Sequence, residues 1–310
     1  MAKRGRNYIC TMTYRFPALI ANDLIRIVAP AKAIEKDFVS YAASFLESQG
    51  FRVKIGTHTL GKFSYLSGKD SERMADLQQA LDDPECKAIL CARGGYGSMR
   101  IVNKLNWAGF VQQPKWIIGF SDITIFHSQA QAFNLPSMHA SMPLNFQNNS
   151  KQSLQSLIDV LHGKPNNIEY QADYGYFKEG KAHGKLIGGN LAVMHALLGT
   201  TLAPDFNNNI LFIEDIGEHL YAIDRMLYSL ELAGVFDKIS GLIVGGLTNI
   251  SDSNPPLGFT LEELIKEKTW FRGFPVCMNF PSGHITDNRA LILGYDALLN
   301  VGKQVQLVQN

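Results

Sequence analysis

Short apolar runs alternate with stretches of helical spacing through the first half of this chain. Leu24-Ile25-Arg26-Ile27-Val28-Ala29 reads as a buried strand ended by Pro30. Phe38, Val39, Ala42, Phe45 and Leu46 then recur at helical spacing until Gly50. Phe51 to Ile55 predicts a second strand, and Met74, Leu77 and Leu81 mark a second helix closed before Pro84. Ala88-Ile89-Leu90-Cys91 predicts a third strand that runs into Arg93-Gly94-Gly95-Tyr96-Gly97. A short helix through Met99, Ile101, Val102 and Leu105 follows. Trp116 to Phe120 is a fourth strand, and Thr124 to Phe133 continues as helix. Strands alternating with helices imply an α/β fold with a parallel sheet covered on both faces.

The rhythm breaks after about residue 145. Residues 146–184 read as a linker around one short helix, because Asn148-Asn149-Ser150 and Gly163-Lys164-Pro165-Asn166-Asn167 are turn-rich. Regular pattern resumes at Gly188-Gly189-Asn190, opening a helix through Leu198. The remaining expected elements are strands at Ile210–Glu214, Gly241–Leu247 and Val276–Phe280, helices at Tyr221–Ala233 and Thr260–Lys268, and short strands after Ala290. The expected organisation is an extension over 1–22, an α/β unit over 23–145, the linker, and a second, smaller α/β unit over 185–310.

Composition narrows the function classes. The 310 residues carry 29 basic and 28 acidic side chains, a formal net charge of +1. That balance gives no electrostatic reason to expect nucleic acid or an anionic membrane as partner. Lys3, Arg4 and Arg6 precede no unbroken apolar region, so the extension does not read as a targeting signal. No stretch approaches the roughly 20 apolar residues of a membrane span. Cys10, Cys86, Cys91 and Cys277 have no C-x-x-C spacing, which fits a reducing, cytoplasmic setting.

Open parallel sheets bind ligands beyond the C-terminal ends of their strands. Arg93-Gly94-Gly95-Tyr96-Gly97 and Gly119-Phe120-Ser121 both fall on that edge. Gly-x-Ser between a strand and a helix is how a fold exposes a serine hydroxyl, although Ile123 stands where a nucleophile elbow wants a second glycine. A serine nucleophile needs a base, and histidine with an orienting carboxylate serves near neutral pH. His284 after Ser282-Gly283, and Glu214-Asp215 at a strand end, can reach such a site. The N–H of Asp122 and one from Gly94 or Gly95 are candidate oxyanion donors. Structural readings compete: the turn, the acids and the histidine each occur as ordinary packing features. His127 lies inside a helix and reads as packing; His139, beside Met138 and Met142, fits a buried, hydrogen-bonded histidine near the site. Arg93, Arg225 and Arg289 are candidates for holding a carboxylate, with Arg93 first because it sits at the ligand edge.

Taken in order, several segments resemble the LD-carboxypeptidase family of serine peptidases, which includes the microcin-C immunity hydrolases. They are Ile27-Val28-Ala29-Pro30, Tyr65-Leu66-Ser67-Gly68 with Arg73 and Asp76-Leu77, Ala92 to Gly97, and Gly119 to Thr124. In the second half they are Gly188-Gly189-Asn190-Leu191, Ile213-Glu214-Asp215 with Tyr221 to Leu227, and Gly283-His284. The resemblance implies a flavodoxin-like N-terminal domain carrying the serine and a C-terminal domain carrying Glu and His. It implies Ser121 as nucleophile, His284 as general acid/base and Glu214 as its partner. It also implies release of the terminal D-alanine from a murein tetrapeptide in cell-wall recycling, no metal or cofactor, and a homodimer. Ala31-Lys32 departs from the small serine-rich turn usual after the first strand.

Two other functions compete. Hydrolysis of a peptidyl or aminoacyl adenylate needs an aromatic surface for adenine; Tyr170, Tyr174, Tyr176 and Phe177 offer one, whereas Trp107, Trp116 and Trp270 read as packing. A non-catalytic nucleotide module fails on Arg100, which stands where the dinucleotide fingerprint wants glycine, and on the loop following the third strand instead of the first. No H-E-x-x-H or close ligand set suggests a metallopeptidase.

Overall fold

The computed structural model describes residues 16–172 and 175–310. Lys3, Arg4, Arg6, Cys10 and Tyr174 lie outside the described residues. The first layered unit contains β1 (Leu24–Val28), α1 (Lys36–Ser48), β2 (Arg52–Ile55), α2 (Asp70–Asp82), β3 (Cys86–Cys91), α3 (Ala108–Gln112), β4 (Trp116–Gly119), α4 (Thr124–Ala132), β5 (Ser137–His139) and α5 (Lys151–Leu161). Then follow β6 (Asn166–Gln171), β7 (Gly180–Asn190), α6 (Leu191–Leu197), β8 (Ile210–Ile216), α7 (Leu220–Leu232), β9 (Gly241–Thr248), α8 (Leu261–Thr269) and β10 (Val276–Cys277). The chain closes with β11 (Leu291–Leu293), β12 (Asp296–Val301) and β13 (Gln304–Gln309).

Five strands of the first sheet are parallel in the order β2-β1-β3-β4-β5, the flavodoxin-like arrangement. Successive side chains leave a strand on opposite faces, and both faces are buried here. Ile25 and Ile27 of β1 and Leu90 of β3 pack with Val39, Ala42 and Leu46 of α1 and with Leu157 and Leu161 of α5. Val28, Ile89 and Cys91 face the other way, onto Leu77 and Ala80 of α2, Phe110 of α3 and Phe126 of α4. Burial on both sides is why these strands read as continuous apolar runs.

The second sheet is mixed. β10, β9, β8 and the C-terminal half of β7 run parallel, while β12, β13 and β6 continue it antiparallel from the N-terminal half of β7. Helices α6, α7 and α8 cover one face through Met194, Leu227 and Leu264. The opposite face carries Phe212, Ile243 and Phe280 and packs against Leu291 and Leu293 of β11. β11 itself pairs antiparallel with β5 in the first sheet. A strand from the end of the chain therefore joins the two layers.

Several elements differ from the sequence reading. The segment 146–184 contains α5, which belongs to the first core, and also β6 and the start of β7. Phe16 stacks tilted on Trp116 at 4.4 Å, and Leu19 is buried, so this end of the extension packs on the first core. The expected helix over Met99–Leu105 is two 3-10 turns, because Ile101 adopts φ −117 between them. β10 stops at Cys277, since Asn279 takes a left-handed φ of 57 that turns the chain.

A polar bridge fixes the two layers at the start of α4. The Asn190 backbone N–H donates to Thr124 Oγ1 at 3.0 Å. Its side chain accepts from Val193 N–H at 3.1 Å as the cap of α6, and donates to Asp215 Oδ1 at 2.8 Å. Gly189 allows this approach, because a Cβ there would sit 2.6 Å from Thr124 Oγ1. Asn190→Ala removes a helix cap and leaves a buried carboxylate short of a donor. It should lower the unfolding free energy by about 1–3 kcal/mol, read from the urea midpoint at constant slope.

Candidate active site

Ser121 opens a 3-10 turn between β4 and α4 and holds φ 63, a left-handed value uncommon for a side chain other than glycine, asparagine or aspartate. Strain of this kind persists only where surrounding structure enforces it. Gly119 has φ 157, and a Cβ there would meet Ile123 side-chain atoms at 3.0–3.2 Å. His127 fixes the carbonyl of Gly119 through Nε2 at 2.9 Å. Because that carbonyl only accepts, Nε2 carries the proton and Nδ1 accepts from Ser137 Oγ at 2.9 Å. Burial pushes the pKa of His127 down to about 3, so it is a neutral packing residue of the turn.

The glycine loop after β3 abuts this turn. A Cβ on Gly94 would lie 2.8 Å from Ser121 Cβ, 2.9 Å from its Oγ and 3.2 Å from Asp122 N. Only a glycine at 94 leaves Ser121 its position. Gly95, at φ 105, lies against Lys32 and the Tyr65 hydroxyl, and Gly97 against Arg73. The Asp122 carboxylate, buried and pushed up by that burial, accepts the Ser98 N–H at 2.8 Å and ties the loop to the turn. The sequence pattern singles out only the backbone N–H of Asp122; an acid directly after the serine is the signal for this side-chain contact.

Glu214 and His284 meet this edge from the second sheet. His284 Nδ1 lies 2.5 Å from Glu214 Oε2, and Glu214 has no solvent exposure. Three glycines allow the approach. Gly245 and Gly246 sit where the β8–β9 register shifts, and Gly246 N–H donates to Ser282 O at 2.9 Å. Gly283 has φ 109, and a Cβ there would fall 2.8 Å from Glu214 Cβ. The His284 ring stands edge-on to Phe120, the residue before Ser121, with centroids 4.8 Å apart. Among the described residues no hydrogen bond joins Ser121 Oγ to His284; such contacts commonly tighten only with substrate bound.

Burial alone would raise the Glu214 pKa, but the imidazoles of His284 and His139 beside it outweigh that and hold it well below the usual range. Burial lowers that of His284, and the Glu214 charge and hydrogen bond reverse the sign, so the net shift is upward. Asp215, by contrast, is pushed up to about 6, chiefly by burial. A cavity of about 520 Å³ adjoins His284, lined by Phe120, Asn145, Asn149 and Thr248 among others. A larger cleft of about 960 Å³ lies beyond the far end of α4 and contains none of the candidate residues.

Arg93 is half-buried at the end of β3, with Nη1 donating to Ala33 O at 2.9 Å and Nε buried without a partner. Arg225 lies over the Tyr221 ring at 5.6 Å, and Arg289 is paired with Asp287 at 2.9 Å. Of the aromatic residues between 170 and 177, Tyr170 donates to Met278 O at 2.6 Å, and Tyr176 and Phe177 pack on the second-sheet cores.

The linked titration of the pair sets a pH window for stability. The raised His284 pKa contributes stability fully present below about 6.5 and lost as pH rises through its higher folded value. The lowered Glu214 pKa contributes stability present above about 4.5 and lost as pH falls toward its lower folded value. The difference in unfolding free energy between the native protein and Glu214→Gln should therefore peak between about pH 4.5 and 6.5 and shrink on both sides. Denaturant titrations across pH 3–9 measure it; a flat difference would contradict the pairing.

Comparison with known proteins agrees with this architecture. Residues 25–140 match the model of the LD-carboxypeptidase N-terminal domain, and residues 183–299 match that of the C-terminal domain. The chain is 30% identical to the probable murein peptide carboxypeptidase of Bacillus subtilis, over 97% of this chain and 96% of that one. It is 31% identical to the murein tetrapeptide carboxypeptidase of Pseudomonas aeruginosa, over 89% and 92%. The crystal structure of muramoyltetrapeptide carboxypeptidase from Oxalobacter formigenes superposes with a TM-score of 0.84 at 25% identity, covering 93% of this chain and 98% of that one. A strained serine turn on a flavodoxin-like sheet, faced by a Glu–His pair from a second sheet, thus coincides with both halves of one family model: the chain belongs to the LD-carboxypeptidase family.

Proposed function

We propose that this protein is a serine carboxypeptidase that releases the terminal D-alanine of a murein tetrapeptide. The observation that carries the reading is the Glu214–His284 pair at 2.5 Å, presented to the ligand edge where Ser121 holds its strained turn. With Nδ1 committed to Glu214, Nε2 of His284 is the nitrogen free to take the Ser121 proton. Ser121 Oγ then attacks the carbonyl joining an L-centre to D-alanine, and the Asp122 and Gly95 N–H groups receive the oxyanion. Collapse breaks the C–N bond as His284 returns the proton to the departing amine. Water activated by the same imidazole hydrolyses the acyl-enzyme. Arg93 holds the terminal carboxylate, since guanidinium suits bidentate binding and its Nε has no partner.

The three described cysteines are buried and free, which supports a cytoplasmic setting. The family resemblance implies a homodimer. No helix among the described residues is long and apolar enough to cross a membrane.

Ser121→Ala should reduce D-alanine release by at least about 10³-fold while the melting temperature stays within a few degrees. Retained turnover in a folded variant would remove Ser121 from the mechanism. The base must be neutral to act, so kcat/KM in the native protein should rise with pH with a midpoint above about 6.5. Glu214→Gln should move that midpoint down, because the charge that raises it is gone.

A further inference from the structure

A second histidine stands behind the Glu214–His284 pair. His139 ends β5 and is fully buried, its ring between Phe120 at 5.5 Å and Phe212 at 5.0 Å. Its Nε2 faces Glu214 Oε1 at 3.8 Å, and neither atom has a hydrogen-bond partner among the described residues. Its Nδ1 lies 3.3 Å from Ser282 Oγ. That hydroxyl is also 3.0 Å from Arg289 O and 3.3 Å from Asn288 Oδ1, and the latter is the amide oxygen, since it accepts the Gly283 N–H at 2.8 Å.

The protons around Ser282 constrain what His139 presents to the carboxylate. Ser282 has one hydroxyl proton and three neighbours able to accept it. If it goes to His139 Nδ1, the single proton of a neutral imidazole is left on Nε2. If it goes to Arg289 O or Asn288 Oδ1, Nδ1 must carry a proton to reach Ser282. A neutral ring would then turn a bare Nε2 lone pair toward a buried carboxylate oxygen 3.8 Å away, an electrostatic repulsion that water does not screen. Only a proton on Nε2 avoids this cost, on a neutral ring in the first case and a charged one in the second.

We propose that His139 is a positioning residue: a proton on Nε2 turns the positive end of the N–H dipole toward Glu214 Oε1 across 3.8 Å, an electrostatic attraction beyond hydrogen-bond length, and so keeps Oε2 on His284 Nδ1. The proposal rests on the reading of Ser121, His284 and Glu214 as the reacting set. The other titratable groups around His139 leave this assignment intact. His127 on α4 is 6.5 Å away ring to ring and neutral, and Asp215 on β8 is engaged with Asn190, Ala192 N–H and Ile216 N–H. On the far side of Glu214, His284 is the group whose basicity responds. A donor on Oε1 withdraws part of the negative charge that His284 experiences, so its loss makes His284 harder to deprotonate and lets the carboxylate rotate.

The test compares His139→Leu, which removes the donor, with His139→Gln, whose amide N–H can reach the same oxygen. With murein tetrapeptide as substrate, His139→Leu should lower kcat about 10–100-fold, leave KM within about twofold and move the acidic limb of kcat/KM to higher pH. His139→Gln should restore most of kcat and the limb position. Unchanged kcat and pH profile in His139→Leu, or a loss confined to KM, would overturn the proposal. A measurement on the native protein covers the case in which the leucine variant does not fold. Ring-¹⁵N-labelled histidine spectra, assigned with His139→Gln, should show His139 Nε2 protonated at pH 7, and a bare Nε2 there would overturn it. This readout needs no turnover, so it separates failure of the proposal from failure of the peptidase reading.

Discussion

A carboxylate with no exposure to water governs this structure. Desolvating Glu214 is costly, and removing its partner would leave an uncompensated charge worth several kcal/mol of destabilisation. The chain answers by directing imidazoles toward both oxygens, one from the loop after β10 and one from the end of β5. Those two histidines come from different layers, His139 from a strand of the first sheet and His284 from a loop of the second unit. Satisfying one buried charge therefore requires both layers to be assembled, and the geometry that satisfies it also turns His284 toward the ligand edge of the first sheet.

Close approach of backbone makes this possible, and it explains why glycines cluster where they do. Gly94 leaves room for Ser121, Gly283 for the Glu214 side chain, and Gly245 for the Ser282 carbonyl, which a Cβ would approach to 2.4 Å. The serine turn also shows how a missing second glycine is tolerated. Ile123 occupies that place, and the absent side chain of Gly119 accommodates its branches. The strain of the turn is thus held by packing on one side and by the Asp122–Ser98 contact on the other.

The strands of the first sheet were legible because double burial writes them as uninterrupted apolar runs. Ser121, Glu214 and His284 were legible because strand ends and glycines punctuate those runs, although pairing Glu214 with His284 needed the ordered family motifs. Much of the remainder is non-local. β5 is three residues long and carries no period, and β11 finds its partner about 150 residues away, so neither pairing has a local signature. β6 hides in a segment rich in asparagine because its partner β13, not its own composition, stabilises it. His139 could be read as buried from its neighbours, but its approach to Glu214 follows from the β5–β11 ladder. Arg93 shows the opposite: its position on the edge was legible, while its bond to Ala33 O was not.

The two layers are not free to hinge about a linker. α5 packs in the core of the first sheet, β6 closes the second, and β11 crosses from the second half of the chain into the first sheet, its Ile292 entering the first core while Leu291 and Leu293 remain in the second. Opening the cleft widely would break the β5–β11 ladder, withdraw His139 from Ser282 and separate Asn190 from Thr124. Each of these contacts lies within a short reach of Glu214, so the energetic penalty for opening is concentrated at the site itself. Access to the edge must therefore come from side chains and loops there, such as the Lys32–Tyr65 pair beside Gly95, while Glu214, His284 and Ser121 stay fixed relative to one another. Preorganisation here is a consequence of topology: the residues that must not move are those the two sheets share.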